Sequence, residues 1–162
     1  MNKPILDPCC GSKMFYKDLN DNRVEFCDIR TVDENLCDGR KLIIDPDTIA
    51  DVTELPFGDE TFYLVVFDPP HMNTLGENSW MAKKYGRLPD DWKAFMKSGF
   101  AECWRVLKCG GTLVFKWNES DIPLSEVMKC TELKPLLLNK RPKQTKTHWI
   151  VFFKDLKEGK SE

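Results

Sequence analysis

The chain has 162 residues, 41% apolar and 31% charged, with a formal net charge of −2, the profile of one soluble globular domain with a sizeable core. No apolar run approaches the roughly 18 residues of a membrane span, and the opening MNKPILDPCC lacks the apolar segment of a secretion signal, so a cytoplasmic location is expected. The seven cysteines include no C-x-x-C pair, which argues against a disulfide framework and against a zinc site; reduced thiols and no metal are expected.

In chain order, PILD (4–7) reads as a short buried strand, and PCCGSK turns from it into a helix of about two turns reaching residues 17–20. Asn20, Asp21 and Asn22 make the next turn. RVEFCDI is a second strand ending on Asp28, and a helical turn is expected around Val32 to Cys37. KLIIDPDTIADVTELPF holds a third, poorly patterned strand followed by loop. YLVVFDPPH is the fourth: Leu64 to Phe67 form the unbroken apolar run of a strand covered on both faces, and Pro69 and Pro70, which cannot donate to a ladder, stop it. Four acids therefore stand at strand ends: Asp7, Asp28, Asp51 and Asp68.

Residues 72–88 are irregular. Trp92, Phe95, Met96, Phe100, Cys103, Trp104 and Leu107 then recur at helical spacing, an apolar face that reads as core, with Asp90 or Asp91 as its cap and Gly110 in a left-handed position beyond its end. GTLVFKW is a fifth strand, LSEVMKC a short helix, and LKPLLLNKRPKQTKTHWIVFFK two strands joined by a basic turn. Residues 1–155 make one domain, and 156–162 are expected to fray. Strands alternating with helices give a doubly wound, mostly parallel α/β sheet, which the C-terminal hairpin closes with an antiparallel strand.

Charge is divided along this order. Residues 1–79 hold 7 Lys/Arg against 16 Asp/Glu, and residues 80–162 hold 17 against 10, so the halves carry −9 and +7. Such asymmetry suits a polyanion partner for the second half, or ordinary solvated surface.

Ligands of open α/β sheets bind beyond the carboxyl ends of the strands. LDPCCGS places a Gly11 turn there, with backbone amides available to a ligand. The single glycine rules out G-x-G-x-x-G, and GSKM fails the P-loop pattern, so no phosphate cradle is expected. Asp28 lies 21 positions after Asp7, where an acid can hold ribose hydroxyls. The implied ligand is a nucleoside without a tightly held phosphate.

In register, LDPCCGSK, FCDIR, ADVTELPF and FDPPH resemble the successive motifs of class I S-adenosylmethionine-dependent methyltransferases, and DPPH resembles the Asp-Pro-Pro-aromatic signature of their amino-methylating branch, which includes the DNA adenine-N6 enzymes. The resemblance spans about residues 3–118 and implies a Rossmann-like fold with S-adenosylmethionine as cofactor. It assigns the cofactor to Asp7, Pro8, Cys9, Cys10, Gly11, Ser12, Asp28, Ile29, Asp51, Val52 and Asp68, with Asp28 on the ribose and Asp51 and Val52 on the adenine. In the catalytic motif Asp68 and the carbonyl of Pro69 would accept from the target amine, Pro70 would stiffen the turn and His71 would stack on the base. Tyr, Phe or Trp usually fills the last position, and imidazole ordinarily titrates near neutrality. Two fixed acceptors suit an exocyclic amine, whose lone pair is delocalised until the nitrogen pyramidalises.

No block resembles a separate target-recognition domain. Trp80, Lys83, Lys84, Tyr85 and Arg87, together with Lys140, Arg141, Lys143 and Lys146 of the basic turn, are the candidates for substrate contact, aromatics among cations suiting unstacked bases beside phosphates; a mobile lid explains 72–88 equally well. The expected activity is transfer of methyl to an exocyclic amine, adenine N6 in DNA foremost. The alternatives are an RNA base amine, a small molecule, or a non-catalytic cofactor-binding module; a homodimer or a partner subunit would supply target recognition.

Overall fold

The computed structural model of the chain describes residues 3–36, 38–74, 76, 80–139 and 145–156. Its seven-stranded sheet has the order β5-β2-β1-β6-β7-β9-β8, formed by β1 (Ile5–Asp7), β2 (Val24–Asp28), β5 (Thr48–Ile49), β6 (Phe62–Phe67), β7 (Leu107–Asn118), β8 (Leu137–Leu138) and β9 (Thr147–Phe153). The first five are parallel, and β9 runs antiparallel to both β7 and β8. From β1 the chain winds outward to β2 and β5, then returns to β6 on the other side of β1. That reversal opens a crevice at the carboxyl edge. No described helix is long and apolar enough to cross a membrane.

Alternation sorts the strands into two faces. Leu6, Val65, Phe67, Leu113, Phe115, Trp117, Ile150 and Phe152 are all fully buried and share the main core with helix α2 (Trp92–Val106). The expected cap is Asp91, which accepts from the Ala94 amide at 3.1 Å. Gly110 adopts φ +76°, but α2 passes into β7 at Leu107, so this glycine lies within β7. The helix packs closely enough that Phe67, Phe100 and Phe115 form edge-on and tilted ring contacts with centroids 4.8–5.5 Å apart. LSEVMKC forms α3 (Leu124–Val127) and a following 3-10 turn.

Two expected helical segments are not helical. Residues 12–20 form successive turns: Lys13 sits at φ +56°, its amide bonds back to the Cys10 carbonyl and Tyr16 bonds back to Lys13. Asp18 accepts from the Asn20 amide at 2.9 Å, the local bond through which aspartate competes with helix. The contiguous Met14, Phe15 and Tyr16 also lack three-four spacing. Around Val32–Cys37 the chain instead forms β3 (Val32–Asn35), paired with β4 (Lys41–Ile44) in a separate antiparallel hairpin. Gly39 at φ +82° makes its turn, and Leu36, Leu42 and Ile44 bury a small core of their own. Cys37 and residues 157–162, where fraying was expected, lie outside the described residues.

On the face opposite α2, the turns of residues 8–16 cover β1 and β2 through Cys10 and Tyr16, which pack on Ile5, Val24 and Phe26. Over β6, β7 and β9 this face carries Leu64, Val66, Val114 and Val151, half-buried, beside exposed Trp149 and Phe153.

A Cβ on Gly99 of α2 would lie 2.9 Å from Cζ of the fully buried Phe67. Gly99→Val should therefore destabilise the protein by about 1–3 kcal/mol through overpacking, read as a lower urea midpoint with unchanged slope.

Candidate active site

Strand parity gathers the acids. Counting in twos from Ile5, Val24 and Leu64 places Asp7, Asp28 and Asp68 on the face turned away from α2, at the carboxyl ends of adjacent strands β2, β1 and β6. Asp51 follows β5. Beyond these ends lies a cavity of about 320 Å³, lined by Pro8, Cys9, Cys10, Gly11, Ser12, Asp28, Ile29, Asp51, Val52 and the whole Asp68–His71 motif, with Tyr85 and Arg87 at its rim.

Asp7 lies beneath the lining, 2% exposed, and accepts from the Cys9 amide at 3.2 Å. It thereby fixes the turn carrying Gly11. Burial pushes its carboxyl up to about 7, with the negative Asp68 and Asp28 adding to the rise. The buried Tyr16 hydroxyl faces the same carboxylate without reaching hydrogen-bond geometry with any described residue. Gly11 takes φ +49°, and nothing lies within 4 Å of where its Cβ would stand, so the turn opens into the cavity.

Asp28 is 4% exposed and fully engaged. It accepts from the amides of Gly11 at 3.0 Å and Arg30 at 2.9 Å, and from the Arg30 guanidinium at 3.1 and 3.4 Å. The same guanidinium donates to the Lys83 carbonyl at 3.0 Å, linking the second strand to the short helix α1 (Trp80–Tyr85). Asp51 is exposed and accepts from the amide and hydroxyl of Thr53 at 2.8 and 2.7 Å.

At the DPPH motif Phe67 pairs with Phe115, so the next position of β7, Lys116, stands beside Asp68. Its Nζ lies 3.0 Å from each Asp68 oxygen, with the two side chains 14% and 19% exposed. The ammonium also lies 4.9 Å from the Phe15 ring centroid. Burial pushes the Asp68 carboxyl up, and Lys116 opposes that rise. His71 is buried, its ring 6.2 Å from those of Tyr85 and Trp117. Burial first, then the positive Lys116, hold its pKa down to about 4, so it is neutral in neutral solution. Asp121 anchors the following loop by accepting from the amides of Asn73 and Thr74 at 3.1 and 3.2 Å.

Lys116 and Arg30 escaped the sequence reading. A lone lysine inside the apolar run GTLVFKW, one position beyond the register of FD, marks the first; an arginine two residues after the strand-end acid in FCDIR marks the second. Among the expected substrate contacts, Lys83 instead pairs with Glu34 of the β3–β4 hairpin at 2.9 Å, and Lys84 lies over the Tyr85 ring at 4.9 Å. Lys146 is exposed beside β9, at the same sheet edge as the cavity. Lys140, Arg141 and Lys143 lie outside the described residues, as does the side chain of Trp80. Among the described residues no group of three His, Cys, Asp or Glu is placed to hold a metal.

No protein-family model matches the chain, and no curated protein does. Among solved structures it is similar to the PH0226 protein of Pyrococcus horikoshii OT3, with TM-score 0.56 and 18% identity over 93% of this chain and 81% of that one. It is also similar to the Haloferax volcanii protein solved in complex with the Trm112 methyltransferase activator, with TM-score 0.51 and 13% identity over 95% and 83%. A third likeness is to a SAM-dependent methyltransferase of Leishmania major, with TM-score 0.50 and 14% identity over 91% and 63%. These likenesses establish the Rossmann-like methyltransferase fold.

Asp7 is held above its unfolded value, so its contribution favours folding at low pH and is lost as pH rises through about 7. His71 is held below its unfolded value, so its contribution is present at high pH and lost as pH falls towards about 4. The two slopes oppose one another. Asp7→Asn should remove the falling one, leaving stability that climbs more steeply with pH between about 4 and about 7 than in the parent. Urea midpoints across that range measure it, and parallel curves would contradict the burial of an ionisable Asp7.

Proposed function

We propose that the chain is an S-adenosylmethionine-dependent methyltransferase acting on an exocyclic base amine, adenine N6 in DNA foremost and an RNA base amine second. The observation that carries the reading is the convergence of the Gly11 turn, Asp28, Asp51 and the DPPH motif on one cavity at the strand reversal. The lining fits this cofactor: the carboxylates of Asp28, Asp51 and Asp68 suit a cationic nucleoside with no phosphate. Asp28 would take the ribose hydroxyls once the Arg30 guanidinium yields its place. Ile29, Asp51 and Val52 would take the adenine, and the 9–12 turn, fixed from beneath by Asp7, the methionine end. The cofactor supplies an electrophilic methyl on a sulfonium.

The chain's own residues orient the acceptor. A carboxylate offers about four lone-pair sites. Lys116 uses two on Asp68, leaving one on each oxygen for an amine N–H. Lys116 opposes the rise that burial imposes on the Asp68 carboxyl and so favours its acceptor form. The Pro69 carbonyl offers a second acceptor, and the two together favour a pyramidal nitrogen aligned with the methyl. Neutral His71 and Tyr85 provide flat faces for an unstacked base. Lys146, exposed at the same carboxyl edge, would meet a phosphate flanking an extruded base, and Lys140, Arg141 and Lys143 are proposed as further phosphate contacts from the sequence alone. A second subunit for target recognition is part of the proposal; the Haloferax protein was solved with an activator.

Calorimetry with S-adenosylhomocysteine tests the cofactor assignment: heat of binding is expected, weakened at least about tenfold in Asp28→Ala as ribose hydroxyls lose their acceptor. No binding by the folded parent would overturn the reading. Labelled methyl groups offered with duplex DNA, single-stranded DNA and RNA in separate pools, followed by nucleoside analysis, identify the acceptor. Asp68→Ala should lower transfer roughly 100-fold or more while leaving cofactor affinity within about tenfold, because its partner is the amine.

A further inference from the structure

One side chain ties the short helix α1 to the acid at the end of β2. Asp28 accepts two bonds on each oxygen: from the Arg30 amide and Arg30 Nε at 2.9 and 3.1 Å on Oδ1, and from the Gly11 amide and Arg30 Nη2 at 3.0 and 3.4 Å on Oδ2. Together they fill the roughly four lone-pair sites of a carboxylate. Two of these donors are backbone amides, fixed by the turn and the strand end. The other two belong to a long side chain that can swing away. Its third nitrogen, Nη1, donates to the Lys83 carbonyl of α1 at 3.0 Å, and Lys83 Nζ in turn pairs with Glu34 of the β3–β4 hairpin at 2.9 Å. Gly86 closes the helix, its amide bonded to the Ala82 carbonyl at 2.9 Å. A Cβ there would stand 3.0 Å from Pro70 Cγ and 3.6 Å from Arg30 Cζ, so the helix end, the guanidinium and the DPPH motif meet at one point. Beyond this glycine, which lies at φ +77°, Leu88 is buried and its amide is bonded to the Met72 carbonyl at 2.9 Å. Gly86 is thus the joint between an anchored segment and α1.

The same helix narrows the acceptor side of the crevice. Its last residue, Tyr85, holds its ring 6.2 Å from that of His71, the two planes inclined at 50°. A base lying between them needs about 3.5 Å to each face, roughly 7 Å in all, so Tyr85 must draw back before a base can enter. We infer that Arg30 is the positioning residue that times this movement: the two ribose hydroxyls of the cofactor take the two Asp28 sites that the guanidinium holds, and the displaced guanidinium releases α1 to swing about Gly86 and carry Tyr85 aside. The inference rests on the cofactor assignment proposed above and extends it to an order of events, cofactor first and acceptor second. Because coupling between two equilibria is reciprocal, anything that loosens α1 from outside the cavity must also tighten the cofactor.

Amide hydrogen exchange of the full chain, with and without S-adenosylhomocysteine, tests this. Saturating ligand should speed exchange of the α1 amides 81–86, whereas a ligand that merely ordered the rim would slow it. In Arg30→Gln the same amides should exchange fast without ligand and gain nothing from it, and calorimetry should show S-adenosylhomocysteine bound about tenfold more tightly, since the competitor for Asp28 is gone. Glu34→Gln keeps the test open if Arg30→Gln does not fold. It cuts an exposed pair outside the cavity, and should speed α1 exchange and tighten the ligand about twofold. Exchange in α1 that slows or stays unchanged on binding, with the ligand plainly bound, overturns this inference alone. So does weaker or equal binding by Arg30→Gln, or a Glu34→Gln chain whose α1 is loosened while its affinity is not altered. No binding by either the parent or Arg30→Gln overturns the cofactor assignment and this inference together, and binding by Arg30→Gln alone supports both.

Discussion

A strand presents side chains to its two faces in strict alternation, and this period of two governs the carboxyl edge of the sheet. Asp7, Asp28 and Asp68 share one parity, opposite to the residues that pack against α2. Had any of the three strands ended one residue earlier or later, its acid would have entered the aromatic core. Gathering carboxylates beneath a covering turn has an electrostatic cost, visible in the raised pKa of Asp7. The neighbouring cations offset it. Arg30 and Lys116 each engage both oxygens of one acid, and a buried charge with a hydrogen-bonded partner is tolerable where an unpaired one is not.

Those two cations also bear on the chemistry. In the proposed reaction Asp68 does not transfer a proton; it accepts hydrogen bonds, which its ionised form can do on both oxygens. Lys116 suits Asp68 to that task, and the same positive charge helps keep His71 neutral. The site is therefore preorganised as a set of acceptors and flat rings, the arrangement that favours orientation over acid–base catalysis.

Most of the sheet was legible in the sequence because its signals are local. The apolar runs 64–67 and 111–117, the prolines after Asp68 and the helical spacing from Trp92 to Leu107 each mark an element within one window. The strand-end acids followed from position alone, and fifteen of the residues expected at the site line the cavity. The misses have specific causes. The helix expected after PCCGSK does not form because Met14, Phe15 and Tyr16 are contiguous rather than spaced by three or four, and Lys13 takes a left-handed backbone conformation that ends any helix there. Val32–Asn35 alternates too weakly to announce a strand, being stabilised by its partner Lys41–Ile44 across a turn. Lys116 was missed because its meaning depends on the register between β6 and β7, which single-strand patterns do not carry.

The position of β6 between β1 and β7 has a kinetic consequence. Leu6 meets Val65 across about 60 residues of chain, and such closures cost more chain entropy than local hairpins. Parallel pairings of this separation also slow folding relative to helix-rich or hairpin topologies. Asp7 and Asp68 come from opposite ends of that closure, so neither the first sixty residues nor the remainder contains the crevice in isolation. Ligand binding can stabilise only the chain that has completed this pairing, so a ligand of the crevice should act mainly by slowing unfolding rather than by templating an early intermediate.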